Sequence, residues 1–267
     1  MLQFFLASWR AGFRSRVLLV FFLLGLALVF CAYLSASFSM RQLQTVTLDV
    51  GFSGLRLCLV LISITLVQDL VGREIERRSV IFSLSYPCSR ASYLFGRFFG
   101  VIALSLVATV ILALLLWLAV MLVGAGYEQV HRVELGGAYW FTVGGLWLDS
   151  VVVTSFVLLI CALATSSLLP LVAGISFAVV GKAFGPLLEY IARGADGQAE
   201  MVAAYRPLLA VAEWIIPDLS RLDWRIWPMY GLAPEIATVL MSVLMALLYA
   251  AAMLMFSSWI FARREFS

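Results

Sequence analysis

Histidine occurs once in these 267 residues, as His131, and charged residues make up only 12% of the chain. One imidazole leaves few options for acid–base chemistry, and neither a metalloprotease HExxH pattern nor a nucleophile elbow is present. A phosphate-binding loop is missing too. Its nearest approximation, Gly181-Lys182, is followed by Ala183 and has Gly174 at the wrong distance upstream. If the protein uses ATP, another chain must bind it. The four cysteines, Cys31, Cys58, Cys88 and Cys161, lack paired metal-ligand spacing, and three fall in apolar runs, where a free thiol acts as a small hydrophobe. No metal site is expected, although a copper- or sulfur-handling role stays open beside that plainer reading. Met241 and Met245 lie four apart on the last apolar run, which suits packing better than a soft-metal ladder. A net charge of +3 gives no reason to invoke nucleic acid, and no internal repeat is visible.

What the chain has is apolar sequence. Hydrophobic residues reach 64% and the mean hydropathy is +1.05, far from the mix of a soluble domain. A hydrocarbon core about 30 Å thick needs roughly 20 apolar residues per helix, because unpaired backbone groups are costly there. Six segments qualify: Val17 to Ser37, Gly51 to Val71, Phe98 to Val123, Gly145 to Thr165, Leu168 to Leu188 and Ile236 to Phe261. Arg56 interrupts the first turns of the second, and only Ser166 and Ser167 divide the fourth from the fifth, which predicts a tight helical hairpin. Too little contiguous polar sequence remains for a soluble domain. The expectation is an all-α membrane protein, a polytopic bundle of six spans forming one domain.

Cations set the expected orientation, since short Lys/Arg-rich loops stay in the cytoplasm. Arg10, Arg14 and Arg16 precede the first span, Arg73, Arg77, Arg78, Arg90 and Arg97 lie between the second and third, and Arg263 and Arg264 follow the sixth. Both termini are therefore expected in the cytoplasm. The longer segment before the last span also carries Arg193, Arg206, Arg221 and Arg225, but long loops obey the rule weakly. The N-terminus resembles a secretory signal only loosely, its polar region being too long. Leu2, Phe5, Leu6, Trp9 and Phe13 recur at helical spacing, with Arg10 and Arg14 on another face, which predicts an interfacial amphipathic helix over residues 1–16.

Between spans two and three, residues 72–97 gather charge, a proline and small polar residues. Glu74 and Arg78 are four apart, as are Arg73 and Arg77, so a short helix could present a mixed-charge face to water. Pro87 breaks it, and Ser89 with Arg90 restarts a helix before Tyr93, Leu94 and Phe95. Such a projection suits docking into a soluble partner; an ordinary solvated loop is the alternative.

This stretch resembles that of the permease subunits of ATP-binding-cassette transporters of the ABC-2 type. Their second and third spans are joined by E-x-E-x-G-[ST], an apolar patch, P-x-S-R and a G-[KR] pair; here stand Glu74, Glu76, Ser79, Val80 to Leu84, Pro87-Cys88-Ser89-Arg90 and Gly96-Arg97. Arg78 replaces the family's usual glycine. Before the last span, Ile216-Pro217-Asp218-Leu219-Ser220 and Asp223 are similar to the P-[DN]-L-S-x-x-D segment of the branch associated with multicopper enzyme maturation, including the nitrous oxide reductase maturation permease. The resemblance implies a bacterial inner-membrane exporter permease, paired with a second copy of itself as a homodimer and with two separate ATPase subunits that hold ATP and Mg2+. Glu74, Glu76, Arg77, Arg78, Pro87 and Arg90 would then form the ATPase-coupling element, and Pro217, Asp218, Ser220 and Asp223 an extracytoplasmic motif.

Charge inside a span costs at least about 2.5 kcal/mol at the helix centre and so tends to have a reason. Arg56, Asp149 and Lys182 are expected in the outer parts of spans two, four and five, where they could line one polar transport path; helix–helix ion pairing or snorkelling is the alternative. The segment 189–233 carries Trp214, Trp224 and Trp227, which fit an interfacial aromatic belt, while Pro217 and Pro228 preclude one long helix. It could receive a cargo or an extracytoplasmic accessory protein. Gly96 to Gly100 and Gly181 to Gly185 form small-xxx-small spacings that let helix backbones approach. Beside the transporter stand two further classes: a membrane scaffold, or a subunit transmitting ATPase motion, and an intramembrane enzyme, for which no recognisable polar catalytic set exists.

Overall fold

The computed structural model describes residues 2–36, 42–76, 89–124, 133–164, 166, 168–192 and 216–263. Arg77, Arg78, Pro87, Cys88, His131 and Trp214 lie outside them, as do the apolar patch Val80 to Leu84 and the linker arginines Arg193 and Arg206. The helices are α1 (Leu2–Phe13), α2 (Arg16–Ala36), α3 (Leu43–Val67), α4 (Arg73–Glu76), α5 (Arg90–Gly124), α6 (Gly137–Leu163), α7 (Leu168–Ala192), α8 (Ile226–Tyr230) and α9 (Ile236–Arg263). A π-helical turn, Gln68–Gly72, joins α3 to α4, and a 3-10 turn spans Leu219–Leu222. No strand occurs among the described residues. The protein is an all-α bundle, with six helices among the described residues long and apolar enough to cross a membrane.

The spans outrun their hydropathy limits. The second begins at Leu43 rather than Gly51 and reaches Glu76, the third begins at Arg90 rather than Phe98, and the fourth begins at Gly137 rather than Gly145. Hydropathy marks the hydrocarbon slab, whereas a helix continues wherever its polar side chains find partners. In the early turns of α3, Gln44 donates to the Val120 carbonyl at 3.3 Å and Thr47 to its own Leu43 carbonyl at 2.8 Å. Much of what reads as a cytosolic loop at residues 72–97 is thus helix belonging to spans two and three.

Ring contacts show where the ends meet. Phe4 lies edge-on to Tyr93 at 5.4 Å, and Tyr93 stacks on Phe261 at 5.7 Å, so the start of α1 and the end of α9 share one end of the bundle, called here the termini end. With six spans, that parity is required. α3 and α6 form the centre: Leu48, Leu59, Leu66, Val152, Val153 and Val157 are fully buried, while α2 and α9 turn Leu23, Phe30, Leu240 and Met241 outward. Buried hydroxyls in α6 close on their own helix, Thr154 donating to the Ser150 carbonyl and Ser155 to that of Val152, both at 2.7 Å. That answers the cost of burying them without a cross-helix partner.

α1 packs beside α5 through small residues, with Phe4 and Trp9 also set against the core. Ser8 and Gly12 are buried, and a Cβ on Gly12 would overlap the Leu104 side chain, as one on Gly100 would overlap Ser8. Gly100 therefore admits α1 within the same chain. Leu2, Leu6 and Phe13 stay exposed.

Candidate functional site

Along α3, Asp49, Ser53 and Arg56 are spaced by four and three residues, which sets them on one helical face. Opposite stand Asp149 on α6 and Lys182 on α7, the only lysine in the sequence. Arg56 Nε donates to Asp149 Oδ2 at 2.6 Å, with side-chain exposures of 11% and 2%. The three charges singled out by their cost in a span do converge, and two of them are a buried ion pair. Asp149 Oδ1 has no hydrogen-bond partner among the described residues.

Lys182 is taken up by a different element. Its ammonium pairs with Asp223 Oδ2, on the segment that precedes the last span. Asp223 Oδ1 accepts from Arg225 Nε at 2.8 Å, and Arg225 Nη1 continues to Asp49 Oδ1 and Ser53 Oγ, each at 2.8 Å. Lys182 and Asp223 in turn lie within electrostatic reach of Asp149. Among the described residues, three carboxylates and three cations thus form one cluster, with no excess of either sign. Burial by itself would raise the Asp223 carboxyl, but the Arg225 hydrogen bond and the charges of Lys182 and Arg225 outweigh it and hold the group below its ordinary value.

The segment from Ile216 to Tyr230 is shaped to deliver these groups. Asp218 caps the 3-10 turn, Oδ1 accepting from the Ser220 amide at 3.0 Å and the Ser220 hydroxyl at 2.6 Å, while Arg221 Nε reaches Oδ2 at 3.1 Å. Pro217 is buried. Glycines on the helices make room: a Cβ on Gly145 would overlap the Leu222 carbonyl oxygen, one on Gly185 would overlap Ser220 Oγ, and one on Gly181 would lie 2.8 Å from Leu219. Gly181 and Gly185 therefore receive this segment rather than a neighbouring helix. Trp224 is buried against Phe141, ring centroids 4.7 Å apart, and its carbonyl accepts from Thr142 at 3.1 Å, so it belongs to the core and not to an interfacial belt. Gly231, with φ +70°, ends α8 in a left-handed conformation open to glycine without steric cost.

A second polar group sits at the termini end. Glu74 receives Arg97 on one oxygen and the Tyr93 hydroxyl on the other at 2.6 Å, and Arg97 Nη1 donates to Ser8 at 3.2 Å. Asp69 pairs with Arg73 at 2.8 Å and accepts from Ser15 at 3.2 Å. Arg90 Nη1 donates to the Ala262 carbonyl at 3.0 Å, closing the C-terminal turn of α9. Of the expected coupling residues, Glu74 and Arg90 thus face the bundle, and Glu76 is exposed.

Charge inside the apolar spans pointed to Arg56, Asp149 and Lys182, and the family resemblance to Asp218 and Asp223. They missed Asp49 and Ser53, whose shared face with Arg56 was the available signal, and the roles of Arg225, Arg97 and Tyr93, for which no local signal exists. The fold and the cluster define a multi-pass helical membrane protein with an internal ion-pair network. No protein-family model matches the chain, and no curated protein matches it.

Proposed function

We propose that the chain is the membrane-spanning permease subunit of an ATP-binding-cassette transporter of the ABC-2 type, moving a substrate outward with ATP hydrolysed on a separate subunit. The observation that carries this reading is the way both ends of the 77–89 junction are tied into the bundle: Glu74 before it grips Arg97 and Tyr93 after it, and Arg90 holds the end of α9. A push delivered to those tied ends would move the helices that hold them. The sequence resemblance across Glu74 to Arg97 and Pro217 to Asp223 supplies the class of motor.

In this reading the termini end faces the cytoplasm of a bacterium, an ATPase pair docks there, and a second copy of the chain completes the transporter. Nucleotide binding favours one of two arrangements by contacting them unequally. The six-charge cluster is then the element that differs between them: paired and shut as described, and parted when the helices tilt, which would bare Arg56, Asp149 and Lys182 to a passing substrate.

One observation favours a second reading. The cluster's charges spend themselves on one another and on the segment 217–225, as a strut would, which suits a subunit that transmits ATPase motion to an extracytoplasmic maturation partner. Purification of the chain with its copurifying ATPase separates these. Transport by the reconstituted complex that is lost with an ATPase-dead partner supports the first; ATP-dependent rearrangement without transport supports the second; absence of any ATPase sinks both.

A further inference from the structure

We infer that Asp149 is a proton-binding site: its carboxylate is ionised while Arg56 is seated on it, and a proton from solvent takes the place of Arg56 when that side chain withdraws. The bond from Arg56 Nε to Oδ2, at 2.6 Å, is the only hydrogen bond to the Asp149 side chain among the described residues, and Oδ1 is buried without a partner.

The other paired acids are held differently. Asp69 receives Arg73 on one oxygen and Ser15 on the other, and Glu74 receives Arg97 and Tyr93. Asp218 receives Ser220 and Arg221, and Asp223 receives Arg225 and Lys182. Asp49 accepts from Arg225, but its side chain is 53% exposed. Asp149 alone among these acids combines a single donor with a side-chain exposure of 2%. Loss of one donor leaves Asp69, Glu74, Asp218 and Asp223 with another; loss of Arg56 leaves Asp149 with none. A buried carboxylate stripped of donor and counter-charge is neutralised by a proton, because the cost of keeping a bare charge out of water exceeds that of binding one.

Nothing adjacent on α6 can replace Arg56. The positions one turn away on either side, Gly145, Leu146, Val152 and Val153, carry no side-chain donor. The neighbouring hydroxyl, Ser150, donates to the Trp147 carbonyl at 2.7 Å. The charges acting on Asp149 come from Arg56 on α3, Lys182 on α7 and Asp223 before the last span, with Arg225 and Asp49 behind them. Lys182 is committed to Asp223, and Arg225 to Asp223, Asp49 and Ser53. The titratable groups of α5 and α9, both packed on α6, are Arg90, Tyr93, Arg97, Tyr249 and Arg263. Of these, Arg97 is held by Glu74, Arg90 by the Ala262 carbonyl, Tyr93 by Glu74, and Arg263 lies over Trp259, while Tyr249 stacks on Phe177. Tyr230 on α8 is exposed. A proton needs no cavity, only a lone pair, and Oδ1 offers one.

If the helices tilt as the transport reading requires, each parting of the pair takes up a proton and each closure releases it. That consequence rests on the transport reading; the proton site does not, and it is tested on the full chain in bilayers without an ATPase. Infrared difference spectroscopy reads the carbonyl stretch of a protonated carboxyl. At neutral pH the wild type is expected to show no such band from Asp149. R56M, which keeps the aliphatic stem and loses every donor, should show one that R56M/D149N lacks. An R56M spectrum without the band, a band that survives in R56M/D149N, or a wild-type band that D149N removes would overturn the site. If R56M does not fold, R56Q is read in the same way. Variants at Arg56 that fold only once D149N is added would equally overturn it, since a carboxyl able to take up a proton would not have to be removed.

Discussion

Arg225 donates to Asp49 at 2.8 Å, although 176 positions separate the two in sequence. The contact ties the segment before the last span to the second span, and through Asp223 to Lys182 on α7. Arg225→Ala should therefore loosen the segment and lower the melting temperature in detergent. Removing one member of a buried pair costs about 3–5 kcal/mol; with Asp49 half exposed, the loss here should fall at or below the low end of that range. An unchanged melting temperature would show the link to be idle.

Arg56 and Asp149 form a closed pair, and a double-mutant cycle measures it. Arg56→Leu and Asp149→Leu should each cost about 3–5 kcal/mol by stranding the other charge, whereas the double variant should lie close to wild type or above it. Additive single effects would mean that each residue serves something other than its partner.

The pH dependence has a definite sign. Asp223 is held below its ordinary value of 3.8, so the unfolded chain binds its proton first as pH falls. The stability it contributes is fully present above the unfolded value and is lost as pH drops through the lower, folded value. Thermal unfolding followed from pH 6 down to pH 2.5 should show a decline beginning near pH 4, and Asp223→Asn should remove that part of it.

Adjacent glycines make a steric test. Gly145→Ala places a methyl into the Leu222 carbonyl and should cost about 1–3 kcal/mol, while at Gly144 an added Cβ meets nothing within 4 Å, so Gly144→Ala should be neutral or slightly stabilising. Equal effects at the two positions would mean that the segment does not press on α6.

Two acids two residues apart should part company. Glu74→Gln leaves Arg97, 7% exposed, without its counter-charge and should destabilise the protein. Glu76 is exposed, and a change there should shift stability by no more than about 0.5 kcal/mol. If the junction docks an ATPase, Glu76→Lys should cut chain-stimulated ATP hydrolysis severalfold at an unchanged melting temperature. Hydrolysis unaffected by Glu76→Lys would remove Glu76 from the docking surface.

Composition by itself determined that this chain lives in a bilayer as a six-helix bundle, because the requirement for about 20 apolar residues per span is local and written in each window of sequence. It also marked Arg56, Asp149 and Lys182, since charge in hydrocarbon stands out wherever it occurs. Only the tertiary structure decided their partners. Arg56 meets Asp149, 93 positions away, while Lys182 turns to Asp223 in a segment whose tryptophans suggest a surface belt. Pairing depends on the rotation and register of helices packed against one another, and on glycines at 145, 181 and 185 that let a loop enter between them. Those are relations between distant segments, and no single window of sequence holds them.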